Sequence, residues 1–198
     1  MLAGGRSTRF GGNKLAVSYR GSPLLHHAIL RLGEVCGDVV VVIAPVAVEP
    51  AVPLGAHVRF VRDAREGEGP LAGLLAGLEA VTSDLAFVAG GDMPELSTAV
   101  LLEMLRVAGE AAVDAVALAD GDRFRPLPCL VRVAAAREAA HALLHAGERS
   151  LRSLVQGLPT AVIDEPTWTA LDPDRGTLLD IDEPGDLGTA RGGRPGER

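Results

Sequence analysis

The sequence predicts an α/β fold, a Rossmann-like three-layer sandwich in which helices cover both faces of a mostly parallel sheet. Apolar runs of strand length alternate with segments whose apolar residues recur every three or four positions. The run at 38–45 (DVVVVIAP) is apolar almost throughout, as in strands that are buried on both faces. Hydrophobic residues make up 47% of the chain, which is enough for one large core, whereas aromatics make up only 3%.

The expected elements follow from these patterns. Strands are expected within 38–45, 57–61, 85–89, 114–118 and 128–133. Helices are expected in SPLLHHAILRLGEV, LAGLLAGLEAVT, STAVLLEMLRVAGEAA and VAAAREAAHALLHAG, the last with Gly147 as its C-cap. Leu2-Ala3 has the character of a strand end, so either the chain starts upstream of Met1 or the first strand is a stub.

Length and composition predict one domain over residues 1–188, followed by a disordered tail over 189–198 that has no apolar anchor. The net charge of −7, with no basic run, argues against a nucleic-acid partner. No segment has the roughly 18 apolar residues that span a bilayer, and the start does not resemble a signal peptide. We therefore expect a cytoplasmic protein with no membrane partner. Cys36 and Cys129 are too few for a disulfide framework, and we expect both to be buried thiols.

The N-terminal loop is rich in glycine and cations within the opening MLAGGRSTRFGGNKLAV. Gly4 and Gly5 allow backbone N–H groups to face a phosphate without an intervening Cβ. Ser7 can donate a hydrogen bond, Arg9 can offer a guanidinium fork and Lys14 a point charge. Neither the Walker A ending nor the G-x-G-x-x-G spacing is present. The pattern favours a nucleoside triphosphate over a simple basic terminus, because apolar residues flank it on both sides.

Carboxylates follow two apolar segments. Asp92 comes after an apolar strand and two glycines, where it can reach a metal that bridges phosphates; the alternative is a cap for the next helix. Asp180 and Asp182 alternate as on a strand, which would place both on one face; the alternative for Asp182 is a cap for a helix at Pro184. Asp63 can accept paired hydrogen bonds from a guanine edge or from ribose hydroxyls.

Six motifs occur in a fixed order: LAGG-x-S-x-R-x-G-x-x-K, GPLAGLLAGLEA, GGDMPEL, DRFRPLPCLVR, AGERSLRSLV and DIDEPGDL. Together they resemble the molybdenum cofactor guanylyltransferases of the NTP-transferase superfamily, over residues 1 to about 188. The resemblance implies a nucleotidyltransferase-type fold and an enzyme that transfers GMP from GTP to the terminal phosphate of molybdopterin, with release of pyrophosphate. It also implies Mg²⁺ as cofactor, and delivery proteins or molybdoenzymes as partners.

The same resemblance assigns roles to residues. The expected catalytic residues are Lys14, Arg9 and Asp92, and the expected metal ligands are Asp92 and Asp182. The expected nucleotide-binding residues are Leu2, Ala3, Gly4, Gly5, Ser7, Lys14, Asp63 and Asp92.

Two alternatives remain open. Asp182 stands where guanylyl members usually carry Asn, and Ile43 and Pro45 stand where amides are expected, which favours a cytidylyl- or sugar-phosphate nucleotidyltransferase. The LAGG and GPLAG motifs favour GTP instead. A non-catalytic nucleotide-binding regulator is the other alternative. The candidates for an anionic second substrate are Arg123, Arg125, Arg149 and Arg152. Trp168 is expected in a connection that covers a sheet edge, and His141 and His145 are not assigned to a metal.

Overall fold

The structure is a computed structural model, and it describes residues 1–3, 14–63, 68–182 and 185–186. The strands are β1 Ser18–Tyr19, β2 Ser22–Pro23, β3 Val39–Ile43, β4 Val58–Arg62, β5 Leu85–Val88, β6 Ala115–Asp120, β7 Arg123–Arg132 and β8 Thr160–Ile163. The helices are α1 Leu24–Gly33, α2 Pro70–Ala80, α3 Thr98–Glu110, α4 Val133–His145, α5 Leu151–Gly157 and α6 Glu165–Leu171. Short 3-10 turns lie at Lys14–Ala16 and Gly176–Leu178.

The main sheet is mixed but mostly parallel. Strand β3 pairs with β4 in parallel, and Leu2 forms parallel bridges to Val42 and Gly90, which link β3 to the end of β5. Strand β7 runs antiparallel to both of its neighbours, β5 and β6, and β6 pairs with β8 in parallel. The order is therefore β4, β3, Leu2, β5, β7, β6 and β8, with only β7 reversed among these described strands. The mostly parallel sheet expected from the sequence is confirmed.

Buried apolar side chains fill both faces of this sheet. The first core contains Leu25 and Ile29 of α1, Leu101 and Met104 of α3, and Trp168 of α6. The second core contains Leu71, Leu74 and Leu78 of α2, Ala136 and Ala140 of α4, and Leu151 and Leu154 of α5. Strand β6 shows the alternation, because Val116 and Leu118 face the first core and Ala115 and Ala117 face the second. The helices therefore form the outer layers of a three-layer sandwich, as expected.

Helix α4 ends at the glycine expected from the sequence. Gly147 has φ of 86°, a left-handed conformation that a Cβ would disfavour. Its N–H donates to the Leu144 carbonyl at 3.0 Å, and the Glu148 N–H donates to the Leu143 carbonyl at 2.9 Å. These are the two bonds of a Schellman motif, which satisfy carbonyls at the end of the helix.

Three expectations about the fold are wrong. Trp168 is not in a connection that covers a sheet edge: it is fully buried in α6, and its Nε1–H donates to the Ala119 carbonyl at 2.8 Å. Asp164 caps this helix by accepting from the Thr167 N–H at 2.8 Å. Both cysteines are free thiols, but only Cys129 is buried, whereas Cys36 is partly buried. Burial raises the pKa of Cys129 to about 12. Asp180 and Asp182 do not lie in a strand.

No helix in the described part of the chain is long and apolar enough to cross a membrane.

Candidate functional site

The expected site residues gather at the carboxyl ends of neighbouring parallel strands. Ala3 follows Leu2 between β3 and β5, and its N–H donates to the Val42 carbonyl at 2.9 Å. Asp63 directly follows β4, and Asp92 follows β5 by a short turn. Open parallel sheets bind their ligands at this edge, just beyond the strand ends. The topology therefore places Leu2, Ala3, Asp63 and Asp92 along one edge of the sheet.

The centre of the site is one ammonium group between two carboxylates. The Lys14 Nζ lies 2.8 Å from Asp92 Oδ2 and 2.8 Å from Asp182 Oδ1. These partners are 78 and 168 residues away in sequence, so only the tertiary fold brings them together. The Lys14 side chain is 11% exposed, against 30% for Asp92 and 62% for Asp182. Burial acts to lower the pKa of Lys14, but the hydrogen bonds to both carboxylates and their negative charges together outweigh it and raise that pKa.

Lys14 is held by the turn that leads into β1. The Val17 N–H donates to the Lys14 carbonyl at 3.1 Å, which closes the 3-10 turn. The adjacent Leu15 side chain packs against Gly91, where an added Cβ would lie 3.2 Å from Leu15 Cδ2. The turn that carries Lys14 thus packs directly on the turn that carries Asp92.

The Gly90–Gly91 pair positions the Asp92 carboxylate. A Cβ on Gly90 would lie 2.2 Å from Asp92 Oδ1, so the carboxylate turns back over this glycine and would have to shift if a Cβ were present. The Gly91 N–H donates to the Leu2 carbonyl at 2.9 Å, which fixes the turn to the sheet. Asp92 does not cap helix α3, whose N-cap is Ser97, so the capping alternative is wrong.

The segment that carries Asp182 is anchored by its neighbour. The Ile181 side chain is fully buried with Tyr19 and Leu24, and its N–H donates to the Asp92 carbonyl at 3.1 Å. Asp180 and Asp182 bind different cations: the Asp180 Oδ2 lies 2.6 Å from the Arg125 Nη2, whereas Asp182 binds Lys14. Burial raises the pKa of Asp180 to about 6, against the opposing charge of Arg125.

Asp63 lies beside the start of α2. A Cβ on Gly73 would be 3.5 Å from the Asp63 Oδ2, so the carboxylate packs over this glycine of the GPLAG helix. The Asp63 N–H donates to the Ile43 carbonyl at 2.9 Å, which continues the pairing of β3 with β4. The structure therefore places Asp63 at a strand end next to Leu2.

The arginines expected to meet a second substrate differ in their surroundings. Arg149 donates to the carbonyls of Leu144 and Glu148, and Arg152 lies over the Phe124 ring with its Cζ 4.9 Å from the centroid. Arg125 is 34% exposed and lines a cavity of about 710 Å³ together with Arg20 and Glu95, among others. Arg125 is joined to the segment that carries Asp182 through its ion pair with Asp180.

The sequence patterns do not single out the network around Tyr19. The Tyr19 O–H donates to Glu95 Oε1 at 2.6 Å, and the Arg20 guanidinium lies 2.9 Å from the same oxygen. Tyr19 is the chain's single tyrosine and is 2% exposed, and it packs against Ile181 beside Asp182. The signal available was a lone tyrosine in a chain poor in aromatics, but nothing in its spacing connects it to Asp182.

The carboxylates around Lys14 fit a hard divalent cation. Among the described residues, no three His, Cys, Asp or Glu side chains are grouped so that they could hold a metal alone. Asp92 and Asp182 already share one cation, the Lys14 ammonium, and offer it only oxygen ligands. Mg²⁺ takes one or two protein carboxylates and completes its octahedron with phosphate oxygens and water. Two carboxylates facing one point are therefore what a metal–triphosphate site needs.

Gly4, Gly5, Ser7 and Arg9 lie outside the described residues, so their roles remain predictions.

A family model described as the MobA-like NTP transferase domain matches residues 1–162. The chain belongs to the MobA-like NTP transferase family. Relatives include a probable molybdenum cofactor guanylyltransferase of Chloroflexus aggregans, 31% identical over 94% of this chain and 89% of that protein. The molybdenum cofactor guanylyltransferase of Desulfosudis oleivorans is 30% identical over 88% of this chain and 84% of its own length. The family resemblance and the enzyme class, a nucleotidyltransferase, are thereby confirmed.

Solved structures of MobA-like and related enzymes share the fold. Molybdopterin-guanine dinucleotide biosynthesis protein A from Archaeoglobus fulgidus superposes with a TM-score of 0.75 at 21% identity, covering 96% of this chain and 94% of that one. The 2-C-methyl-D-erythritol 4-phosphate cytidylyltransferase from Thermus thermophilus gives a TM-score of 0.68 at 23% identity, covering 91% and 92%. The nucleotidyltransferase-type fold expected for this MobA-like chain is confirmed.

Proposed function

We propose that this protein transfers GMP from GTP to the terminal phosphate of molybdenum cofactor, releases pyrophosphate and forms the guanine dinucleotide cofactor. The observation that carries the proposal is Lys14 between Asp92 and Asp182 at the strand ends. This cation–carboxylate centre occurs in a MobA-like chain whose relatives in C. aggregans and D. oleivorans bear the name molybdenum cofactor guanylyltransferase.

The reaction needs no covalent intermediate on the protein. An oxygen of the acceptor's terminal phosphate attacks the α-phosphorus of GTP in line. The bond between the α-phosphorus and the oxygen that bridges to the β-phosphate breaks, and that oxygen leaves with pyrophosphate. Such transfers are accelerated mainly by positioning and by neutralisation of charge on the phosphates.

The expected site residues would supply both functions. Asp92 and Asp182 would hold Mg²⁺, which neutralises charge on the phosphate oxygens when it is bound. Lys14 would bind the triphosphate as a point charge, and Arg9 would bind it with a guanidinium fork. The backbone of Leu2, Ala3, Gly4 and Gly5, with the Ser7 hydroxyl, would fix the nucleotide. Asp63, at the end of β4, would accept hydrogen bonds from the base or the ribose.

A second candidate is cytidylyl transfer on the same fold. Asp182 stands where guanylyl members usually carry Asn, and the cytidylyltransferase from T. thermophilus shares the fold with a TM-score of 0.68. The base specificity is therefore the point that an experiment must decide.

Measurement of pyrophosphate release decides the base specificity. The purified full chain is mixed with Mg²⁺, molybdopterin (with and without molybdate) and one of GTP, CTP, ATP or UTP. We expect release with GTP, no release without acceptor, and none from the Asp92→Asn variant. Release with CTP alone would support the second candidate, and no release with any nucleotide would mean a non-catalytic binding protein.

The proposed reaction also implies where the protein works. GTP and a cofactor intermediate are cytoplasmic metabolites, so we place the protein in the cytoplasm. Its product would pass to delivery proteins or molybdoenzymes, which co-purification with the tagged chain would detect.

A further inference from the structure

Lys14 occupies the position that a bridging cation would need. Its Nζ is 2.8 Å from one oxygen of Asp92 and 2.8 Å from one oxygen of Asp182. A metal held by the same two oxygens at about 2.1 Å would lie within van der Waals contact of this ammonium. The two cations therefore exclude each other at this point, and one must leave for the other to bind.

The two segments that carry the carboxylates are joined independently of Lys14. The Asp92 carboxylate folds back over Gly90, and the Asp92 carbonyl accepts from the buried Ile181, the residue before Asp182. Because this bond ties the two acidic segments together, loss of the ammonium would leave both carboxylates facing the same point. Two like charges in such proximity bind a divalent cation more strongly than a pair already neutralised by lysine.

We propose that Lys14 is the resident counter-ion of the metal site in the nucleotide-free protein, so that triphosphate and divalent cation bind cooperatively. This rests on the proposed role of Asp92 and Asp182 as metal ligands. A triphosphate offers the Lys14 ammonium a new set of anionic oxygens, and transfer of Lys14 to them opens both carboxylates to the metal. Free metal alone has to displace the lysine without that compensation.

Linkage makes the coupling reciprocal. If triphosphate raises the affinity for metal by a given factor, metal raises the affinity for triphosphate by the same factor. Removal of the lysine charge should abolish this coupling. The nucleotide-free protein should then bind metal more tightly, and the protein should bind triphosphate less tightly. If Lys14 were only part of a structural ion pair, its removal would not strengthen metal binding while weakening triphosphate binding.

The test is a titration of nucleotide-free full-length protein with Mn²⁺, with free Mn²⁺ measured by electron paramagnetic resonance. We expect Lys14→Met to bind Mn²⁺ roughly 5–150-fold more tightly than the wild type, the usual range for coupled ligands. Lys14→Arg keeps a cation and should stay as weak as the wild type. Arg106→Met removes a surface cation that also lies between two carboxylates, and it should change nothing.

Further variants keep the test decisive. The double variant Lys14→Met/Asp182→Asn should lose the increase in Mn²⁺ affinity expected for Lys14→Met. That loss would show that Asp182 is a ligand of the bound Mn²⁺. Lys14→Gln repeats the measurement should Lys14→Met not fold, as judged by circular dichroism. Equal or weaker Mn²⁺ binding by the uncharged variants, while the wild type still releases pyrophosphate from GTP, would overturn the counter-ion inference alone. Tight Mn²⁺ binding that survives unchanged in Lys14→Met/Asp182→Asn would also overturn the metal role of Asp182.

Discussion

Lys14 and Arg106 each lie between two carboxylates, and the two clusters have very different origins. Arg106 contacts Glu103 at 2.6 Å and Glu110 at 2.5 Å, three and four residues away on the same helix. Lys14 contacts Asp92 and Asp182 at 2.8 Å each, from 78 and 168 residues away. Helical spacing alone creates the first cluster, whereas the second exists only because three remote segments meet at one edge of the sheet.

The exposure of the cation distinguishes a surface ion pair from a functional site. Arg106 is 52% exposed, and exposed pairs at helical spacing contribute little to stability because solvent screens them. Lys14 is 11% exposed and neutralises two acids that would otherwise face each other. The contact distances are similar, but the two clusters differ in their surroundings, and mutations in each should have different effects.

The largest effect is expected at the remote cluster, from Asp92→Ala. Loss of the carboxylate removes a metal ligand, and a loss of about 4 kcal/mol of charge stabilisation lowers turnover by about 10³-fold. Pyrophosphate release measures the turnover, and circular dichroism checks that the fold is kept. The matched control is Glu103→Ala, an acid of the surface cluster, which should keep wild-type turnover. Wild-type turnover in Asp92→Ala would refute its role.

A smaller loss is expected from Gly90→Ala, because the new Cβ would lie 2.2 Å from the Asp92 Oδ1 and push the carboxylate aside. Displacement of a catalytic group by about 1 Å costs roughly 10²-fold in rate. The control is Gly109→Ala in α3, where nothing lies within 4 Å of the added Cβ. That change should stabilise the protein by about 0.5–1 kcal/mol in denaturant unfolding and keep turnover. Full activity of Gly90→Ala would show that the position of the Asp92 carboxylate is not critical.

A still smaller effect, on the affinity for GTP, is expected from Lys14→Ala. Loss of a charge-assisted contact to the triphosphate, worth about 1.5 kcal/mol, should weaken GTP binding about tenfold in calorimetry. Lys14→Arg should recover part of the affinity because it keeps the charge. An unchanged dissociation constant in Lys14→Ala would mean that the N-terminal loop does not bind the triphosphate through this residue.

The smallest effect is expected from Arg106→Met. The free energy of unfolding should change little, because solvent screens both exposed pairs, and it should change even less at high salt. GTP affinity and turnover should match the wild type. A turnover defect here would remove the distinction between the two clusters.

Much of the fold could be predicted because its signals are local. The apolar run of β3 and the three- and four-residue spacing of α1–α4 are properties of short segments, and Gly147 ends α4 as expected. Helix α6 is seven residues long with a single buried side chain, Trp168, so it has no periodicity to read. Its cues were an Asp164 cap and a proline in the first turn, which also occur in loops.

Individual residues of the site could be predicted from the sequence, but their contacts with one another could not. Lys14 and Asp92 stand out because each lies in a glycine-rich turn beside an apolar strand. The contact of Lys14 with Asp182 depends on how Ile181 docks against Tyr19 and Leu24, which no local pattern encodes. The alternation of Asp180 and Asp182 was compatible with a strand, but the segment forms none and the two acids bind different cations.

The most direct test of the site is a crystal structure with a non-hydrolysable GTP analogue and Mn²⁺, in which anomalous scattering locates the metal. We predict a Mn²⁺ peak about 2.1 Å from carboxylate oxygens of Asp92 and Asp182, as for Mg²⁺, with the Lys14 Nζ on a phosphate oxygen. A triphosphate and metal bound elsewhere, with Lys14 still between the two carboxylates, would contradict it.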